Sequence, residues 1–182
     1  MSCFVLLRPH MPEIMAELIL QLDPEPKVEF ISASNNAAWS VGEVALRYGR
    51  DDTEFRNWVT PLIARLIPIL LHPKSPRSLH ENAAVSIGRI GLMHPGLVAP
   101  HLQEFAQAWC QALHEIRDNE EKDSAFRGFC TLVQTNPAGV AKVRRCRFVF
   151  SFFACSCELI IWSRACCGSA MRSCGGINRR RS

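Results

Sequence analysis

The segment Asn36-Ala37-Ala38-Trp39-Ser40-Val41-Gly42 returns as Asn82-Ala83-Ala84-Val85-Ser86-Ile87-Gly88, an offset of 82 − 36 = 46 residues. A second echo links His94-Pro95-Gly96-Leu97-Val98-Ala99 to Asn136-Pro137-Ala138-Gly139-Val140-Ala141, an offset of 136 − 94 = 42 residues. A chain that repeats itself at this interval cannot be an ordinary closed globule. Each unit is a small supersecondary element that buries its apolar face only by stacking on its neighbours.

Offsets in the forties fit repeats of HEAT or armadillo type, whose period is about 40 to 47 residues and whose unit is built of helices. Apolar periodicity between proline and turn signals predicts helices near 10–22, 28–48, 54–71, 78–92, 97–116 and 120–135. The connectors hold Asp23-Pro24-Glu25-Pro26, His72-Pro73-Lys74-Ser75-Pro76 and His94-Pro95-Gly96. Proline bars the preceding residue from helix, so these stretches separate the units. No alternating β-branched pattern competes before the tail. The expected fold is all-α, an α-solenoid of about three HEAT-type helix pairs over residues 1–142, about the minimum for a stable stack.

Charge and cysteine divide the chain at the same place. From Val143 onward eight arginines stand against Glu158, so the tail carries +7 and the remainder 4 − 7 = −3. A mildly acidic body suits a basic partner better than a phosphate backbone, so direct nucleic-acid binding is not expected. Only Cys3, Cys110 and Cys130 precede Val143, and six of the nine cysteines follow it. Scattered thiols in the body point to a reducing compartment. The first ten residues have no basic start and no small-residue cleavage site, so no signal peptide is expected.

Three stretches are more specific than the period. They are Phe30-Ile31-Ser32-Ala33-Ser34-Asn35-Asn36-Ala37-Ala38-Trp39-Ser40-Val41-Gly42-Glu43, Leu79-His80-Glu81-Asn82-Ala83-Ala84-Val85-Ser86-Ile87-Gly88-Arg89, and Ile116-Arg117-Asp118-Asn119-Glu120-Glu121-Lys122-Asp123-Ser124-Ala125-Phe126-Arg127-Gly128. Together they resemble the transportin family of karyopherin-beta import receptors, over roughly residues 3–142. The resemblance implies the last few HEAT repeats of a longer superhelix that carries proline-tyrosine nuclear localisation signals, often on RNA-binding proteins, through the nuclear pore. It implies shuttling between cytoplasm and nucleus, and release of cargo by Ran GTPase, whose main contacts in the family lie in earlier repeats than these. No cofactor and no enzymatic activity are expected.

Helical arithmetic places Ile31, Asn35 and Trp39 on one stripe, roughly opposite Ala33, Ala37, Val41 and Val44, which are expected to form core. Asn82 and Val85, three apart, offer a similar pair on the next repeat. Two readings stand. Trp39 is an inter-repeat packing residue and the asparagines close a structural ladder, or the stripe faces a ligand. The resemblance implies the second. Trp39, Ile31 and Val85 would then supply apolar contact to a cargo peptide, and Asn35 and Asn82 would hydrogen-bond its backbone. Asn36 is expected to be structural, since it falls on a different helix face from Trp39.

The remaining chemistry-bearing residues are weaker candidates. The run Asp118 to Glu121 with Asp123 lacks the glycine and alternating oxygens of a calcium loop, and is expected to open a helix with Asp118 or Asn119 as cap. Cys155, Cys157, Cys166, Cys167 and Cys174 do not form spaced zinc pairs, and no histidine follows His114, so no metal site is expected. Arg89, Arg117 and Arg127 are expected to be solvated or paired on helix surfaces, and the six histidines to be solvated or to cap helix ends. No phosphate loop, nucleophile elbow or metalloprotease motif occurs. Phe148 to Trp162 is short for a membrane span and contains Glu158, so no anchoring is expected.

Two further readings compete with cargo binding: a HEAT-repeat structural scaffold, and a truncated product without function, given apolar solenoid ends. The tail, residues 143–182, is expected to be poorly ordered. Lys142-Val143-Arg144 can be encoded as AAG-GTG-AGG, which has the form of a splice donor, so the tail is expected to be translated intron. Sequencing the transcript across codon 142 should find a shorter spliced product, and its absence would contradict that reading.

Overall fold

The computed structural model describes residues 6–49, 53–114, 116 and 119–141. Six longer helices follow one another: α1 (Met11–Gln21), α2 (Ile31–Tyr48), α3 (Thr53–Leu71), α4 (Arg77–Met93), α5 (Leu102–His114) and α6 (Glu120–Thr135). Among the described residues there is no strand. The expectations about the tail, Arg117 and Asp118 lie outside the described residues.

The helices pair as α1/α2, α3/α4 and α5/α6, and the second members form one closely packed row, with α4 lying between α2 and α6. The architecture is the expected all-α solenoid of three helix pairs. Two turns of helix, Pro95–Val98 and Ala99–His101, precede α5, which therefore begins at Leu102 and not near residue 97. Pro100, which donates no backbone N–H, sits in that joint.

The first row supplies most of the large apolar side chains. Along α3, Phe55, Val59, Leu62, Ile63, Leu66, Ile67, Ile69 and Leu70 are buried, a helical stripe that faces α4 and α5. Pro61 and Pro68 lie inside α3 without ending it. Both prolines are exposed, as are Asn57 and Ala64 four residues before each, so the carbonyls that lose a helical partner face water. In the third pair, Trp109 is fully buried, stacks on Phe129 with ring centroids 4.2 Å apart, and meets the edge of Phe126. Its indole N–H donates to the carbonyl of Ala84 at 2.7 Å, which ties α5 to α4.

The second row packs on small residues. On α2 the buried set is Ser34, Ala37, Ala38, Val41, Gly42 and Ala45. Ala33, expected in the core, is exposed, and Val44 is half-buried. The helix packs on both α1 and α4, which centres its buried arc on residues 34, 38, 41 and 45. On α4, ten residues from Leu79 to Gly91 are buried because neighbours cover it on both sides. Glycine allows the closest approach: a Cβ on Gly128 would overlap the carbonyl oxygen of Gly88, and one on Gly88 would lie 2.5 Å from that of Ala125.

Helix ends and connectors are fastened locally. Asn119 caps α6, its Oδ1 accepting from the N–H of Lys122 at 2.8 Å, as expected, and Glu120, Glu121 and Asp123 fill the first turn where the helix dipole favours negative charge. The hydroxyl of Ser75 donates to the carbonyl of Pro24, linking equivalent connectors of successive pairs. Two histidines are less solvated than expected. His72 Nδ1 and His94 Nε2 are buried without a hydrogen-bond partner among the described residues. His94 stacks on Phe55 with centroids 5.7 Å apart, and its burial, with the nearby Arg56 charge, outweighs a hydrogen bond to the Gly49 backbone and lowers its pKa.

The contact between Gly88 and Gly128 has a measurable consequence. Gly128→Ala should destabilise the fold by about 2–3 kcal/mol, because backbone must move to admit the methyl group. Gly96→Ala, where no described residue lies within 4 Å of the added Cβ, should be neutral or stabilising by up to about 1 kcal/mol. Urea unfolding followed by circular dichroism compares the two, and equal midpoints would contradict the close approach.

Candidate functional site

Stacking of the second row brings the echoed motifs face to face. Asn82 Nδ2 donates to Asn35 Oδ1 at 3.1 Å and to the Asn35 carbonyl at 3.3 Å. The hydroxyl of Ser86 donates to the Ala38 carbonyl. One turn on, Arg89 reaches two helices at once, donating from NH1 to Glu43 Oε1 at 2.6 Å and from Nε to the hydroxyl of Ser124 at 2.9 Å. Arg89 is only 3% exposed, so it is a buried cross-brace and not the surface arginine expected; packing on both sides removes it from water. Arg127 is exposed and pairs with Asp123, as expected.

Burial raises the Glu43 carboxyl, but hydrogen bonds from Arg47 and Arg89, and their charges, outweigh it and hold the group below its ordinary range. Glu43, Arg89 and Ser124 explain how α2, α4 and α6 keep their register. A partly buried carboxylate and a buried guanidinium satisfy each other only when Glu43, Arg89 and Ser124 are level.

The sequence-derived site residues separate into two groups. Ile31 opens α2 and is half-buried, Asn35 follows one turn later and is half-buried, and Trp39 is 44% exposed. Asn82 joins them through its bond to Asn35. Val85 does not present itself in the same way, being only 4% exposed, because neighbouring helices cover both flanks of α4. Asn36 is exposed and outside the ladder, on a face different from that of Asn35, so the asparagine contact joins position 35 to 82 and not the internally equivalent pair 36 and 82.

Missing from the sequence-derived site is Glu121. The indole N–H of Trp39 donates to Glu121 Oε1 at 2.7 Å, across 82 residues of sequence and across the intervening helix α4. Nothing in the local pattern near residue 121 signals this beyond its place in the first turn of α6. The Glu43–Arg89 pair, in contrast, had a signal. The two occupy the same place after the echoed glycines, 89 − 43 = 46 residues apart, with opposite charge.

The surface that results has an exposed indole, an aliphatic edge at Ile31 and an amide pair between them and α4. The amide pair satisfies itself in part. Asn35 Oδ1 and Asn82 Nδ2 are used, whereas the Asn35 side-chain NH2 and Asn82 Oδ1 have no hydrogen-bond partner among the described residues. A donor and an acceptor side by side match what the backbone of an extended peptide requires.

No protein-family model matches the chain. Transportin-1 of Homo sapiens is 43% identical to it over 139 residues, 76% of this chain and 15% of that protein. Importin subunit beta-2 of Schizosaccharomyces pombe is 44% identical over 141 residues, 78% of this chain and 15% of that protein. Transportin-1 of Oryza sativa is 41% identical over 138 residues. The chain thus spans about 15% of the length of these relatives.

The ladder yields a pH prediction. Glu43 has its folded pKa depressed, so its contribution to stability is fully present above the unfolded carboxylate value, about 4.3, and is lost as pH falls through the lower folded value. Glu43→Gln should flatten the acid limb of the stability curve below about pH 4.3, and Arg89→Met should cost about 3 kcal/mol at pH 7 by leaving Glu43 without its buried partner. Denaturant titrations at stepped pH measure both; an unchanged acid limb in Glu43→Gln would contradict the assignment.

Proposed function

This chain belongs to the transportin family over 76% of its length, and from that premise we propose that its second-row helices hold part of an extended nuclear localisation signal on protein cargo. The observation that carries the reading is the stripe of Ile31, Asn35 and Trp39. It combines an indole 44% exposed with amide groups still able to pair with a peptide backbone. Aromatic surface left open on a packed scaffold is a common anchor for a binding partner.

The role proposed is recognition in nuclear import, with the protein shuttling between cytoplasm and nucleus, a reading supported by its likeness to proteins named transportin and importin. Cargo of the proline-tyrosine class, often carried on RNA-binding proteins, is the ligand class that goes with this family. The −3 charge of residues 1–142 favours the basic character of such signals. Amides that pair with backbone and an indole that offers flat contact select an extended shape more than a fixed side-chain order. Ran GTPase belongs to the proposal only through other repeats of the family. Affinity of these repeats taken singly should be weak, because a site spread over many repeats gains from linked contacts.

One observation favours a purely structural scaffold: Asn82 spends its amide hydrogens on Asn35, as a ladder residue would. The two readings part on Trp39. A fluorescent proline-tyrosine localisation peptide should bind the full chain saturably, and Trp39→Ala should weaken binding by about tenfold or more while helicity by circular dichroism is retained. No saturable binding by the folded wild-type chain would overturn the reading, and unfolding of Trp39→Ala would assign the indole to the scaffold.

A further inference from the structure

The exposed indole of Trp39 is not loose. Its N–H donates to Glu121 Oε1, the Glu121 carbonyl accepts from the hydroxyl of Ser124 at 2.8 Å, and the same hydroxyl accepts from Arg89 Nε at 2.9 Å. Arg89 in turn donates to Glu43, which stands one helical turn after Trp39 on α2. The path is closed: it leaves α2 at Trp39, crosses to α6, returns through α4 and re-enters α2 at Glu43.

From this circuit we propose that Glu121 is a positioning residue of the peptide-binding surface, fixing the Trp39 ring across α4 in the orientation that meets an extended ligand. The inference rests on the peptide-binding reading above and adds to it a residue from the third helix pair. Glu121 is well mounted for the task. It follows the Asn119 cap, where the helix dipole supports its charge, and its neighbour Lys122 is buried and donates from Nζ to the Ile116 carbonyl at 2.7 Å.

A carboxylate that meets an indole N–H at an open surface is of little value to folding alone. To a ligand it is worth more. An indole that already has its orientation does not lose rotational freedom when the peptide lands on it, and immobilising one side chain costs about 0.5–1.5 kcal/mol. The ring faces stay available because the hydrogen bond uses only the N–H edge.

The test uses the full chain and the fluorescent proline-tyrosine localisation peptide, with the Trp39 indole N–H resonance, assigned through Trp39→Phe, as the second readout. Glu121→Ala should weaken binding about threefold to tenfold and shift that resonance. Glu121→Gln, whose amide oxygen still accepts, should keep binding within about twofold of wild type and leave the resonance near its original position. Binding lost in Trp39→Ala but unchanged in Glu121→Ala would overturn this inference alone. So would equal weakening by both Glu121 variants with the resonance unmoved, since the charge would then be touching the peptide directly. A folded wild-type chain that does not bind would overturn the peptide-binding reading and this inference with it, whatever the resonance shows.

Discussion

Everything on the second row depends on how closely α4 and α6 approach, and that distance is set by hydrogen atoms where side chains would ordinarily stand. At Gly88 and Gly128 the two backbones meet with no room for a methyl group. Gly42 continues the theme on α2, where an added Cβ would lie 2.6 Å from the Ser86 hydroxyl. Ordinary helix pairs stand about 8–10 Å apart, with side chains between them. Drawing the three helices together lets Arg89 reach Glu43 and Ser124 at once, and lets one indole cross α4 to α6.

The two rows divide the physical labour. The first row contributes bulk apolar burial, from Phe55 to Leu70 on α3 and around Trp109 on α5, which is where most of the hydrophobic driving force resides. The second row contributes small residues and a sequence of polar links that tolerate only one alignment. Such a design leaves one stripe of α2 only partly covered, and the stripe is where Ile31, Asn35 and Trp39 fall. A stacked repeat can present such a surface without a closed pocket.

Much of this was legible in the chain, for reasons that also explain the gaps. The period between Asn36 and Asn82 revealed the solenoid because stacking forces equivalent residues to recur, and prolines at 24, 73 and 95 marked the connectors. Helical arithmetic found the partly exposed stripe but misjudged Ala33, since the buried arc of α2 is set by two neighbours whose directions a single helix does not encode. Val85 was read as a contact residue for the same reason, when flanking helices cover it. Glu43 and Arg89 share a repeat position and were in principle readable as a pair. Glu121 was not, because Trp39 reaches it past a whole intervening helix, at a distance no repeat offset specifies.

The central claim is that the stripe on α2, with Asn82 beside it, is where a peptide lies. Hydrogen–deuterium exchange of the full chain with and without a proline-tyrosine localisation peptide tests this most directly. The account predicts added protection in segments covering residues 31–39 and 79–86, with α1 and α3 unchanged. Protection confined to α3 or α5, or no protection at saturating peptide, would contradict it.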